Sequence, residues 1–143
     1  MGMVMINIRK YKQYDKDSII TLWKEVFNPK QSHNDPELVI NMKTKHNDNL
    51  FFVAEENKQI IGTIMAGFDG HRGWIYSLAV LPKYRRKGIG TSLVNKALNA
   101  LINLGCIKVN LQIYSDNQSI VDFYKKIGFS IEDRISMGKR IVK

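Results

Sequence analysis

The first third of the chain shows one strand-like and two helix-like patterns of apolar residues. Residues 6–11, INIRKY, alternate between apolar and polar positions and predict a first strand. From Asp17 the apolar residues recur at helical spacing, which predicts a helix that stops near Asn28-Pro29. Asp35-Pro36-Glu37 then offers an N-cap, a proline at the first helical position and an acidic first turn. A second helix is therefore expected to run to about Lys45.

The middle of the chain predicts three successive strands. Each is a short apolar run, bounded by turn or loop signals such as Asn57-Lys58, the DGHRG segment and Pro82. The strands span residues 50–56, 59–68 and 74–81, and the loop DGHRG spans residues 69–73.

The last third predicts two helices and three further strands. A helix follows residue 88 and is closed by Gly105, and a second begins in SDNQS and ends at Gly128. The predicted strands are 107–114 between the helices, then FSIEDRI and MGKRIV as a final pair. This order predicts an α/β (α+β) domain, residues 1–143, with a mixed, mostly antiparallel central sheet and helices on both faces.

Composition narrows the functional classes. A chain of 143 residues with 44% apolar content fits one soluble domain, and no apolar run reaches the roughly 20 residues that cross a membrane. The net charge of +9 favours an anionic ligand, although scattered lysines make bulk nucleic-acid binding unlikely. With one cysteine, Cys106, and no secretion signal, a cytoplasmic protein is expected.

The segment RRKGIG, residues 85–90, carries the clearest binding signal. Two arginines and a lysine lead into two glycines where a helix should begin, and unpaired backbone N–H groups at such a position bind phosphate readily. The segment matches neither the P-loop nor the dinucleotide-binding fingerprint. It is therefore either a phosphate cradle or simply a basic helix start.

Two longer stretches identify a family. LAVLPKYRRKGIGTSLV and DNQSIVDFYKKIGF resemble the GNAT superfamily of acyl-coenzyme A-dependent N-acyltransferases. Arg85, Gly88 and Gly90 match that family's pyrophosphate motif, and Asn117 and Tyr124 match its later Asn…Tyr motif. Within the family, VAEENKQIIGTIMAGFDGHRGW and SMGKRI are most similar to small bacterial members of the YpeA type.

The resemblance implies a GNAT-like fold and a site for acetyl-coenzyme A. The two central strands of such a fold splay apart, which implies that Leu78 and Val80 keep their backbone N–H and C=O groups free for pantetheine. The Val80 N–H would also polarise the thioester carbonyl. The pyrophosphate would be held by Arg85, Arg86, Lys87, Gly88, Ile89, Gly90 and Thr91.

The later motif implies a general acid. Tyr124 matches the tyrosine that protonates the departing thiolate, which suits a phenol with an ordinary pKa near 10. Alternatively, Tyr124 is simply an aromatic residue of the hydrophobic core. Asn117 is expected either to contact coenzyme A, as in the family, or to cap the helix that begins there, and both roles can hold together.

The resemblance does not supply a residue for the general base. In ribosomal-protein N-terminal acetyltransferases a glutamate occupies the position of Gln112, and an amide cannot take a proton. His71 and Asp69 in the DGHRG loop are the tentative base or substrate contacts, although Asp-Gly is also a plain turn signal. Glu55, Tyr76, a water molecule or an already neutral amine are the further alternatives.

Other side chains carry weaker signals. Cys106 has no histidine near it in sequence and is expected to be structural, and His33 and His46 lack metal-ligand spacing, so no metal is expected. The acceptor should meet the early helices, residues 17–46, and the 69–73 loop.

The predicted function is transfer of an acetyl group from acetyl-coenzyme A to a primary amine of a small molecule or a protein N-terminus. The alternatives are a non-catalytic acyl-coenzyme A sensor and a basic nucleic-acid-binding protein. The acceptor and the oligomeric state stay open.

Overall fold

The computed structural model describes residues 6–27 and 35–142. The chain divides into two compact units, Met1–Leu111 and Gln112–Lys143. The first unit contains strands β1 (Asn7–Lys10), β2 (Phe51–Glu56), β3 (Gln59–Phe68), β4 (Gly73–Val80) and β5 (Val109–Asn110), and helices α1 (Lys16–Val26), α2 (Pro36–His46) and α3 (Ile89–Asn103). The second unit contains helix α4 (Gln118–Lys126).

One five-stranded sheet organises the first unit. Its strands lie in chain order, and each of the pairs β1–β2, β2–β3 and β3–β4 is antiparallel. β5 pairs with β4 in parallel, through Gly73↔Val109 and Trp74↔Asn110. The mixed, mostly antiparallel sheet of the sequence-based prediction is thus confirmed.

Helices cover both faces of this sheet. Successive strand residues point to opposite faces. On β3, a Cβ added to Gly62 would meet Leu93 of α3, whereas the next side chain, Thr63, bonds to Trp23 of α1. The fully buried side chains of α1, β2, β3 and α3, among them Ile19, Phe52, Ile61, Ile64, Leu93 and Leu101, fill the space between the helices and the sheet.

Strand β4 contains a bulge just before Leu78 and Val80, the residues that the sequence resemblance assigns to a ligand. Its register against β3 shifts between Thr63 and Met65, and Ser77 lies in the left-handed region at φ 52°. A bulge re-aims the residues that follow it and is frequent beside active sites. Leu78 and Val80 are therefore presented by a strand that is bent on its approach to the 85–90 segment.

Most helix boundaries agree with the sequence pattern. α1 ends at Val26, and Asn28-Pro29, where a stop was expected, lies outside the described residues. α2 begins at Pro36 behind the N-cap Asp35, whose side chain makes no capping bond. Gly105 and Gly128 follow α3 and α4 with φ of 89° and 104°, the left-handed conformation expected of glycine at a helix end.

The strand predictions after α3 are wrong in extent or existence. The strand expected over residues 107–114 shortens to Val109–Asn110, and residues 129–142 form no strand. Ile135, Met137 and Ile141 stay about nine-tenths exposed, at 91%, 90% and 88%. Alternation over six or seven residues does not fix a strand unless a paired edge also takes up its hydrogen bonds and buries its apolar side.

Candidate functional site

The segment 85–88 forms an exposed, tightly curved entry to helix α3. Arg86 and Gly88 both lie in the left-handed region, at φ 63° and 81°. A Cβ built on Gly88 would meet no atom within 4 Å, so the space in front of its backbone is open. Left-handed residues that alternate with right-handed ones turn successive backbone N–H groups toward a common point, which favours an anion.

The first turn of α3 adds unpaired donors. The Ser92 N–H donates to the Gly88 carbonyl over 3.0 Å, so the N–H groups of Ile89, Gly90 and Thr91 precede the first donor with a partner in the helix. The Nζ atoms of Lys83 and Lys87 lie 5.2 and 5.6 Å from the centre of the Tyr84 ring and concentrate positive charge here. The donors and charges therefore fit a diphosphate.

Strand β4 presents an unpaired edge beside this loop. The Leu81 N–H donates to Ile61 of β3 over 2.9 Å. Because backbone directions alternate along a strand, the N–H groups of Leu78 and Val80 point to the opposite edge. Pairing with β5 ends at Trp74, so within the described chain that edge receives no strand partner beyond this residue.

One backbone group differs from the expectation. The Val80 carbonyl accepts a hydrogen bond from Nε of Arg85 over 3.0 Å, so of the four backbone groups expected to be free, this one is engaged. The bond folds the Arg85 side chain back onto β4. The guanidinium keeps its other nitrogens for an anion, and a fork of five N–H donors allows both contacts.

The sequence reading missed a buried polar chain behind the bulge. Nε1 of Trp23 donates to Oγ1 of Thr63 over 2.9 Å, and that hydroxyl donates to the Ser77 carbonyl over 2.9 Å. Thr63 is fully buried, and Trp23 is 4% exposed. The signals were a threonine inside the apolar run QIIGTIMAGF and a tryptophan on an apolar helix face, whose N–H needs a partner when buried.

The DGHRG loop lies at the other end of β4 from the 85–90 segment. Oδ1 of Asp69 accepts the N–H groups of His71 and Arg72, each over 2.7 Å, and these two bonds shape the turn. They lower the pKa of the Asp69 carboxyl, the bond from Arg72 most. A carboxylate held in this way is a weaker base. His71 is exposed, and its imidazole is the loop's other proton acceptor.

The remaining candidates for the base have other engagements. Glu55 accepts from Nε and Nη2 of Arg9 over 3.3 and 2.9 Å, and this pairing lowers the pKa of its carboxyl. Burial raises the pKa of the Tyr76 phenol, and the charge of Asp69 raises it further. Gln112, which is no candidate because an amide cannot take a proton, donates to Oγ of Ser136. Each of these side chains is a poorer base than a free imidazole would be.

In the second unit, Tyr124 lies on α4 and Asn117 is the N-cap residue just before it. Oδ1 of Asn117 accepts the Ile120 N–H over 3.4 Å, so the capping role is confirmed. Tyr124 is 5% exposed, and its ring meets Phe123 and Phe129 edge-on at centroid distances of 5.0 and 5.2 Å. Burial raises the pKa of the Tyr124 phenol, which therefore stays protonated at neutral pH.

Two further observations concern metals and membranes. Among the described residues, no three His, Cys, Asp or Glu side chains form a group that could hold a metal ion, and His33 lies outside that part of the chain. Cys106 is half-buried, and its Sγ lies 3.3 Å from the Lys108 carbonyl, as a structural thiol would. Within residues 6–27 and 35–142, none of the helices has the length and apolar character needed to cross a lipid bilayer.

The family model described as "Acetyltransferase (GNAT) family" matches residues 16–129. The chain therefore belongs to the GNAT acetyltransferase family.

Solved structures agree in fold. The aminoglycoside N-acetyltransferase AAC(6')-Iy, in complex with a bisubstrate analogue, is 18% identical, with a TM-score of 0.79 over 96% of this chain and 99% of that one. The PaiA N-acetyltransferase of Thermoplasma acidophilum, in complex with coenzyme A, is 21% identical at TM-score 0.79, over 92% and 93%. The glucosamine-6-phosphate N-acetyltransferase of Arabidopsis thaliana is 25% identical at TM-score 0.71, over 96% and 99%.

Proposed function

We propose that the protein is an acetyl-coenzyme A-dependent N-acetyltransferase that acylates a primary amine of a small molecule or of a protein N-terminus. The observation that carries the proposal is the start of α3. There a left-handed glycine lies beside an exposed run of three cations and three unpaired backbone N–H groups. Solved structures of the family include complexes with coenzyme A. The whole chain acts as one catalytic domain in this proposal, and the subgroup is the small bacterial YpeA type.

The first unit holds the carrier. Residues Arg85–Thr91 bind its diphosphate through backbone N–H groups, and Arg85, Arg86 and Lys87 add charge-assisted bonds. The free edge of β4 offers the N–H groups of Leu78 and Val80 to the pantetheine amides, in the way one strand pairs with another. This arrangement leaves the acetyl thioester close to the Val80 N–H, which stabilises negative charge on its carbonyl oxygen.

Tyr124 serves the leaving group. When the amine nitrogen bonds to the thioester carbon, the C–S bond breaks and the sulfur gains negative charge. The Tyr124 phenol is protonated at neutral pH and donates to that sulfur as the charge develops, so the contact is stronger in the transition state than before it. Burial, which raises its pKa, makes it a weaker acid than a free tyrosine. The protonated form is also the form that the buried ring environment favours.

The amine proton needs an acceptor. The DGHRG loop lies at the other end of β4 from Val80, and the Asp69 carboxylate is also bonded to two backbone N–H groups of its own turn. We therefore assign the proton to water and make His71 a contact to the acceptor amine. Asp69 then acts through the shape of the loop, and Asn117 adds a carrier contact to its capping bond.

A thiol-release assay tests the proposal. The protein is supplied with acetyl-coenzyme A and a panel of polyamines, aminosugars, amino acids and peptide N-termini, and free coenzyme A is measured over time. We expect release that depends on one class of amine. Coenzyme A should also raise the melting temperature, because it binds the native state. Tight coenzyme A binding without turnover on any amine would instead favour the sensor.

Tyr124→Phe separates chemistry from binding. The variant keeps the ring and its two aromatic neighbours, so it should fold and bind acetyl-coenzyme A as the parent does. Turnover should fall roughly 10²–10⁴-fold, the usual contribution of a positioned acid. Tyr14→Phe, at a site 72% exposed, is the matched control and should keep full turnover. Wild-type turnover in Tyr124→Phe, with chemistry rate-limiting, would remove the acid role.

A further inference from the structure

The buried chain from Trp23 to Ser77 ends on the peptide unit that precedes Leu78. The Thr63 hydroxyl donates to the Ser77 carbonyl over 2.9 Å, and the carbonyl of one residue shares a planar unit with the N–H of the next. In a trans peptide these two groups point in opposite directions. A hydroxyl that fixes the Ser77 carbonyl therefore also fixes the direction of the Leu78 N–H.

The direction matters because the backbone is irregular at this point. Ser77 adopts φ 52°, a conformation that residues other than glycine rarely occupy within a strand, and the β3–β4 register shifts beside it. A residue in this region keeps its conformation only when its surroundings hold it. Among the described contacts, the Thr63 hydroxyl bonds directly to the turned carbonyl.

Burial makes the hydroxyl a fixed donor. Thr63 is fully buried, and its oxygen already accepts the indole N–H of Trp23 over 2.9 Å, so its own hydrogen is left to point at Ser77. The indole is in turn held by packing, with its ring 6.2 Å from Phe51 and 6.1 Å from Phe27. Trp23 of helix α1 thus orients the Thr63 hydroxyl, and the hydroxyl holds the bulge in place.

We propose that Thr63, oriented by Trp23, is a positioning residue that holds the Ser77–Leu78 peptide so that the Leu78 N–H faces the free edge of β4. Its effect on the reaction rests on the proposed function, because the group it positions is one that would bind the pantetheine arm. Its effect on the bulge does not depend on any ligand.

The test compares a variant that removes the hydroxyl at constant volume with variants that remove only a methyl group. Thr63→Val replaces the hydroxyl by a methyl group, which leaves the Trp23 N–H and the Ser77 carbonyl without their partner. Thr63→Ser keeps the hydroxyl and is the rescue variant. Ile61→Val removes one buried methyl group from the same strand and is the control for lost packing, since Ile61 is fully buried and touches β4 through its backbone carbonyl.

Two measurements are made well below each variant's melting temperature. The first is amide hydrogen exchange, without ligand, at Ala79, which pairs with Thr63; it should speed up in Thr63→Val and not in Ile61→Val. The second is kcat/KM for acetyl-coenzyme A, beside calorimetric affinity for coenzyme A. We expect kcat/KM to fall about 10- to 100-fold in Thr63→Val, as misplacement of reacting groups does. Affinity should change far less, because the diphosphate loop is untouched.

The outcomes separate this proposal from the function on which it rests. Recovery of kcat/KM in Thr63→Ser supports it. Unchanged exchange and unchanged kcat/KM in Thr63→Val overturn it, as does an equal loss in Ile61→Val. If Thr63→Val does not fold, Trp23→Phe replaces it and should show the same pattern at smaller size. If the parent neither binds coenzyme A nor acetylates any amine, the proposed function fails, and the exchange comparison alone still decides whether Thr63 holds the bulge.

Discussion

Helix α3 meets two glycine-containing regions of opposite character. At Gly62, in the middle of β3, an added Cβ would lie 3.0 Å from both the Ala79 carbonyl oxygen and Cδ1 of Leu93. At Gly88, just before the helix, an added Cβ would meet nothing within 4 Å, but the backbone lies at φ 81°. The first glycine is needed for space and the second for conformation.

The difference separates what holds the fold from what holds a ligand. The Gly62 region is closed, and its glycine lets the helix approach the sheet. The Gly88 region is open, and its glycine lets the chain turn so that backbone N–H groups face outward. The same substitution should therefore damage different properties at the two positions.

Gly62→Val should have the largest effect on stability. The new side chain would overlap a backbone oxygen that cannot move aside easily, and overpacking of this kind costs about 3 kcal/mol. Urea unfolding should show that loss, while the folded variant keeps its affinity for coenzyme A. Gly67→Val is the matched control, because the nearest atom to its Cβ is Cε2 of Tyr76 at an ordinary 3.6 Å. A Gly62→Val protein as stable as the control would contradict the packing argument.

Gly88→Val should act mainly on binding. The left-handed conformation costs a residue with a Cβ roughly 1–2 kcal/mol, and the branched side chain would shield the N–H groups of α3. We expect affinity for coenzyme A, measured by calorimetry, to weaken about 10- to 100-fold, the size of a lost charge-assisted contact.

Gly70→Val provides the control for strain at Gly88. Gly70 also has a positive φ, at 91°, and an added Cβ there would also lie in open space. It should lose comparable stability and keep its affinity for coenzyme A. Equal affinities in the two variants would show that the 85–91 segment does not hold the diphosphate.

The sequence predicted the helices and β2–β4 of the first unit well, because apolar spacing is strong there and glycine or proline marks most ends. The helix start after Gly88 was predicted for the same reason, and the diphosphate-binding role of the 85–90 segment stays a prediction. The sequence wrongly predicted strands over 129–142, because alternation does not reveal whether a paired edge is available.

The irregular part of the site was also beyond sequence reading. Nothing in the sequence WIYSLAV indicates a bulge at Ser77, because serine rarely adopts a positive φ. Thr63 became informative only when the structure placed its hydroxyl against the Ser77 carbonyl. The Arg85 bond to Val80 was equally hidden, because it depends on how the chain turns after Pro82.

Arg85→Ala sharpens the comparison within the open region. The side chain contacts β4 and also supplies donors to an anion, so its removal should weaken coenzyme A binding about tenfold, near the lower end for a bond to a charged group. Lys24→Ala, an exposed cation on α1, controls for net charge and should change affinity little. An equal loss in both variants would show that Arg85 contributes only through the net positive charge of the protein. Added salt would then screen that contribution.

Tyr124→Phe tests how the stability of a closed, buried position depends on pH, and its expected effect is the smallest. Burial raises the pKa of the phenol in the folded protein above the value near 10 that it has when unfolded. Its contribution to stability is therefore complete below pH 10 and is lost as pH rises, because the unfolded chain releases the proton first. At pH 10.5 the loss should be about 0.8 kcal/mol, relative to pH 8, in the parent. Tyr124→Phe should lack this part of the alkaline decline in the free energy of urea unfolding, and a decline as steep as the parent's would show that the phenol ionises as readily in the folded chain as in the unfolded one.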